Sequence, residues 1–100
     1  MGKEVILTPI AVSDFENVVD YLTYKWGIQV TNNFVDRFEK VILLLSEDAT
    51  MFPFVNVTKQ IQKCILTKHN VLYFKDTAEG VKILTIFDTR QDPEKLNSIF

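Results

Sequence analysis

The side chains able to do chemistry concentrate in the second half of this chain. Arg90 follows the apolar run 81–87, where a guanidinium can grip a phosphate or carboxylate through two parallel hydrogen bonds. In a nuclease it would stabilise the extra negative charge of the transition state. Asp88 and Asp92 stand two residues away on either side, so an internal ion pair is the competing reading. Lys63 and Lys68 could contact phosphate, or donate a proton if neighbours lower their pKa, and are otherwise solvated lysines. His69 could act as a general base near neutral pH, although its place between Lys68 and Asn70 also suits a plain surface residue. Tyr73 offers a stacking ring or half of a core contact. Cys64 reads as a small buried hydrophobe, because no Ser-His-Asp or Cys-His spacing is present to activate it. The chain has no glycine-rich phosphate loop and no cluster of metal-ligating residues, so neither cofactor nor metal is expected.

Three strands position these groups. Segments 61–66, 71–74 and 81–87 are β-branched and aromatic, and they are separated by polar turns at 67–70 and 76–80, the second ending in Gly80. Alternation puts Lys63, Ile65 and Thr67 on one face of their strand. A meander of this kind needs a cover for its apolar side. Upstream, residues 3–8 read as a short strand ended by Pro9, and Ser13 with Glu16 has the spacing of a capping box that starts a helix. Phe15, Val18, Val19, Leu22 and Trp26 make one apolar stripe, and Gly27 stops the helix. A second helix, from 28–31 to about Ser46, carries Val30, Phe34, Phe38, Val41, Ile42 and Leu45 on one stripe, with Asp36, Arg37, Glu39 and Lys40 opposite. The segment 46–59 is otherwise turn-like, with 51–54 an apolar plug beneath the helix ends. The expected fold is α+β: a strand, a helical hairpin and three more strands, giving an antiparallel sheet with both helices on one face. It forms a single domain over residues 1–100.

Composition sets outer limits. The chain has 100 residues, 47% of them hydrophobic and 24% charged, which is ordinary for a soluble domain. No apolar run approaches the roughly 18 residues of a membrane span. Residues 1–20 lack a basic stretch followed by an apolar one, so the expected compartment is the cytoplasm. The net charge is −2, yet no Asp or Glu occurs between Ala49 and Lys75, a region that holds Lys59, Lys63, Lys68 and Lys75. A basic sheet region thus joins an acidic remainder, which either draws an anionic partner to one side or reflects lysines guarding strand edges against aggregation.

The order of elements, the segment from Lys63 to Phe74 and the closing Ile83-Leu84-Thr85-Ile86-Phe87-Asp88-Thr89-Arg90-Gln91-Asp92-Pro93 resemble the ParE/RelE superfamily of bacterial type II toxin–antitoxin toxins, most of all its ParE-like, plasmid stabilisation branch. The resemblance covers nearly the whole chain, including Leu7-Thr8-Pro9 and Ala11. It implies a toxin neutralised by a cognate antitoxin whose extended segment wraps helices and sheet. RelE-like members cut messenger RNA on the ribosome with several Lys and Arg residues and often a C-terminal Tyr; ParE-like members poison DNA gyrase by binding it and lack that set. Here Lys63, Lys68, Lys75 and Arg90 lie near the implied site, but no Tyr follows Tyr73 and the total charge is acidic. The ParE-like, non-enzymatic reading is therefore preferred. The alternatives are a metal-independent endoribonuclease acting on ribosome and mRNA, and a non-toxic, antitoxin-binding relic of the fold. A helix surface normally hidden by the antitoxin also makes a homodimer an expectation for the free chain.

Overall fold

The computed structural model describes residues 2–100. Its elements are β1 (Val5–Leu7), α1 (Pro9–Trp26), α2 (Ile28–Asp48), a 3-10 turn (Ala49–Met51), β2 (Phe54–Asn56), β3 (Ile61–Thr67), β4 (Asn70–Thr77), β5 (Gly80–Asp88) and a second 3-10 turn (Pro93–Ser98). The strands form one five-stranded sheet in the order β1-β5-β4-β3-β2. Neighbours are antiparallel except β1 and β5, which run parallel, with Val5 beside Val81 and Leu7 beside Ile83. The sheet is therefore mixed, where the sequence reading expected it wholly antiparallel. The unrecognised strand β2 supplies one more reversal of chain direction, so β5 returns in the sense of β1 rather than against it. Its three residues include one Asn and follow Pro53, too short a run to show alternation.

Helix α1 begins earlier than the Ser13 capping box suggests. Thr8 is the N-cap: its hydroxyl accepts from the Ala11 N–H at 3.3 Å and donates toward the carbonyls of Ile83 and Leu84 at 2.9 and 3.0 Å. Pro9, read as a strand terminator, is also the first helical residue, where its missing N–H costs nothing. Gly27 ends α1 with φ +91°, and its N–H reaches Leu22 and Thr23 carbonyls at 3.1 Å. Thr31 locks this one-residue joint, its hydroxyl meeting that of Thr23 at 2.8 Å and the Gly27 carbonyl at 3.2 Å.

The core lies between the helical hairpin and one face of the sheet. Helix α2 buries Phe34, Phe38, Val41 and Leu45, as its stripe predicts, and the sheet contributes Cys64, Leu66, Leu72, Phe74, Val81, Ile83 and Ile86. Helix α1 contributes buried Ala11 with partly buried Phe15, Val18, Val19 and Leu22, and the Phe15 ring lies 4.7 Å from that of Phe38. Two stripe residues depart from expectation: Trp26 is 62% exposed and Val30 38%. Both sit beside the Gly27 joint, where the hairpin extends past the sheet's cover. The 51–54 plug is half realised. Phe52 packs edge-on to Phe74 at 5.9 Å, while Met51 and Phe54 remain exposed. Gln62, buried, donates to the carbonyls of Ala49 and Phe52 at 2.7 and 3.0 Å and so satisfies the connection into β2.

Two further contacts set the position of β5. A register shift between Tyr73 and Phe74 leaves Leu84 without a partner on β4. Beside this bulge, the Asp14 carboxylate of α1 accepts from the Thr85 hydroxyl and from the Ile86 N–H, the latter at 3.1 Å. Asp14 is thereby a tether between layers. At the far end, a Cβ on Gly80 would stand 2.6 Å from the Glu4 carbonyl oxygen, so the turn entering β5 admits only glycine beside β1.

A candidate partner-binding cleft

Where β3 and β5 end and β4 begins, the sheet and the helical hairpin leave a cleft of about 1040 Å³ between them. Ile10, Tyr21, Trp26 and Val30 line its helical wall, and His69, Asp88 and Arg90 its sheet wall. The β3–β4 turn is Lys68-His69, and the Thr89 N–H donates to the His69 carbonyl at 2.9 Å, holding the end of β5 against that turn.

Arg90 lies in this cleft with its charge already engaged. Its backbone N–H and Nε donate to Asp88 Oδ1 at 2.9 and 3.0 Å, and Nη2 donates to Oδ2 at 2.7 Å. The guanidinium carbon also stands 5.9 Å from the centre of the Tyr21 ring. The hydrogen bond from Arg90 holds the Asp88 carboxyl below its ordinary range, and Asp88 in turn raises the Arg90 pKa. The internal pair weighed from sequence is thus formed, with Asp88 and not Asp92.

The other candidates do not converge on Arg90. His69 shares the cleft. Lys68 is exposed at the tip of the turn. Lys63 and Tyr73 are cross-strand partners on the reverse face of the sheet, since their neighbours Gln62, Cys64, Leu72 and Phe74 are buried. Tyr73 packs against Phe87 at 6.4 Å and Phe100 at 5.1 Å, and burial pushes its phenol up. Cys64 is buried, and that burial raises its thiol pKa against a weaker opposing pull from Arg37. No cluster of three His, Cys, Asp or Glu suited to a metal ion occurs among the described residues.

Arg37 is the cleft residue that sequence reasoning missed. It was assigned to the outer face of α2, and it is exposed, but its long side chain crosses to the sheet. Nε donates to the Leu66 carbonyl and Nη2 to the Ile65 carbonyl, both at 3.2 Å. Those carbonyls sit at the register shift between Ile65 and Thr67, an irregularity without a sequence signal. Arg37 makes no ion pair among the described residues, so it brings a positive charge to the cleft that Arg90, paired with Asp88, does not.

A helical hairpin over a five-stranded sheet with an open cleft at one end defines a small α+β protein with a surface open to a partner. A family model described as the ParE toxin of the type II toxin-antitoxin system, parDE, matches residues 5–93, and the chain belongs to that family. A toxin–antitoxin system implies a cognate antitoxin as partner. Among solved structures, one described as the chromosomal ParDE TA system from P. aeruginosa is similar in fold. Its TM-score is 0.72 at 15% identity, with 86% of this chain and 95% of that chain covered. A comparison with curated proteins finds no match. No helix among the described residues is long and apolar enough to cross a membrane.

Proposed function

We propose that this chain inhibits DNA gyrase in the cytoplasm by binding it, and that a cognate antitoxin holds it inactive by occupying the cleft. The observation that supports this reading is the dispersal of the reactive groups. A nuclease needs its acid, base and charge stabiliser within hydrogen-bond reach of one phosphate. Here Arg90 and His69 face the cleft, Lys63 and Tyr73 face the reverse side, and the Arg90 fork is spent on Asp88. The cleft suits a protein segment: its helical wall exposes Ile10, Tyr21, Trp26 and Val30, an apolar and aromatic surface of the kind that accepts an amphipathic partner. Without the antitoxin this rim is open, and self-association of the free chain follows from the same exposed surface.

Induction of the chain alone, with growth, plasmid supercoiling, gyrase cleavage complexes and messenger RNA scored together, tests the proposal. The expected result is growth arrest with accumulated cleavage complexes and intact RNA. Codon-phased RNA cuts that vanish in Arg90→Ala would establish a ribosome-dependent nuclease instead. Unimpaired growth would mark a relic that keeps the fold and has lost toxicity. Light scattering over a concentration series checks the homodimer, which a constant monomer mass would exclude.

A further inference from the structure

The face of the sheet turned away from the helices carries a row of lysines. Lys63 on β3, Lys75 on β4 and Lys82 on β5 all lie on it, because Cys64, Phe74, Val81 and Ile83, their neighbours along the strands, point into the helical core. Lys75 and Lys82 are direct cross-strand partners. Cβ atoms so placed are about 5 Å apart, and Lys63, opposite Tyr73 and diagonal to Lys75, adds a third at about 7 Å. Like charges directly opposed on a sheet destabilise it. Edge protection does not account for them: β3, β4 and β5 are the three interior strands. Nor do acids neutralise them, since Lys63 and Lys75 form no ion pair among the described residues and Lys82 meets only the exposed Glu79, at 3.7 Å. Meanwhile α1 and α2 on the far side hold seven acidic and three basic residues. The molecule is electrically two-sided, and an approaching polyanion is steered to the lysine face.

We propose that this face binds the phosphodiester backbone of duplex nucleic acid through Lys63, Lys75 and Lys82, and that the duplex is DNA. The ring beside the row, Tyr73, packs edge-to-face with Phe87 and Phe100 and offers no free stacking platform, which disfavours a single strand. Lysines without base-reading partners contact phosphates and read no sequence. The choice of DNA over an RNA duplex rests on the gyrase reading, since gyrase holds duplex DNA.

Anisotropy of a labelled DNA duplex, a single strand of the same length and an RNA duplex, titrated with the full chain over a salt series, decides the matter. Each neutralised phosphate contributes about −0.9 to the slope of log K against log salt, so a slope near −3 is expected for the DNA duplex. The triple variant Lys63→Gln, Lys75→Gln, Lys82→Gln is expected to flatten that slope toward zero, while Lys25→Gln with Lys40→Gln on the helices leaves it unchanged. Because the triple variant removes an opposed pair of like charges, its melting temperature should be no lower than that of the parent, which verifies that it folds. Absence of salt-dependent duplex binding, unchanged binding by the triple variant, or tighter binding of the single strand or the RNA duplex would each overturn the proposal. Supercoiling inhibition measured on the same proteins separates the two readings. Gyrase inhibition without DNA binding refutes only the lysine face, and DNA binding without gyrase inhibition refutes only the gyrase assignment.

Discussion

The two faces of the sheet solve opposite problems. On the helical side the half-buried carboxylate of Asp14 accepts from Thr85 and Ile86, and the exposed Arg90 at the cleft is held by Asp88. The helical wall left open at the cleft is apolar and aromatic, with the Arg37 charge beside it. On the reverse side a smaller cluster of Ile61, Val71, Tyr73, Phe87 and Phe100 sits within a lysine field that the fold does not compensate. One side has the character of a protein-binding surface and the other that of an anion-binding one. The lesson is that charge within the same sheet is satisfied where it must be buried and left open where water, or a ligand, can meet it.

Mutation can break this contrast at several points. Phe74→Ala, which empties a fully buried site between sheet and helices, is expected to cost about 4 kcal/mol in urea denaturation. A loss under about 1 kcal/mol would mean that the helical side is not the principal core. Asp14→Ala leaves the Ile86 N–H and Thr85 hydroxyl without their charged acceptor and is expected to cost about 2 kcal/mol, with amide exchange at Ile86 accelerating. Lys75→Gln should do the reverse and stabilise by about 0.5 kcal/mol, because it relieves the opposition to Lys82. In a double-mutant cycle with Lys82→Gln, that gain should not be obtained twice.

The smallest effect concerns pH. Asp88 titrates below its ordinary 3.8 because Arg90 donates to it, so its contribution to stability is complete above that value and disappears as pH falls through the lower folded-state value. The denaturation midpoints of the parent and Asp88→Asn should therefore differ at neutral pH and converge in acid. A difference that persists undiminished at low pH would show that the pair has no part in it.

Much of the fold was legible in the residues. The α2 stripe from Phe34 to Leu45, the stop at Gly27, the polar turn within 67–70 and the glycine entering β5 each follow from local periodicity or turn chemistry. What failed locally failed for identifiable causes. Thr8, as N-cap, is stabilised as much by carbonyls of Ile83 and Leu84, some 75 residues away, as by its own helix, so the nearer Ser13 box competed without a visible rival. Trp26 and Val30 kept the helical period but ran past the end of the sheet that would have covered them.

The candidate site was less legible, because its members are brought together or parted by strand pairing. Arg90, Lys63, Lys68, His69 and Tyr73 are all present in the sequence, yet strand alternation sends Lys63 and Tyr73 to one face while the β5 turn sends Arg90 to the other. Arg37 entered the cleft only through a register shift that frees two carbonyls.

By itself the sequence determined both helices, the strands other than β2 and most of the residues they bury, because side-chain periodicity and backbone preferences act over a few neighbours. The tertiary structure decided the direction of β1 against β5, the company each charge keeps and the split of one lysine-rich segment from the cleft. Those depend on strand order and register, which arise from contacts between residues far apart along the chain.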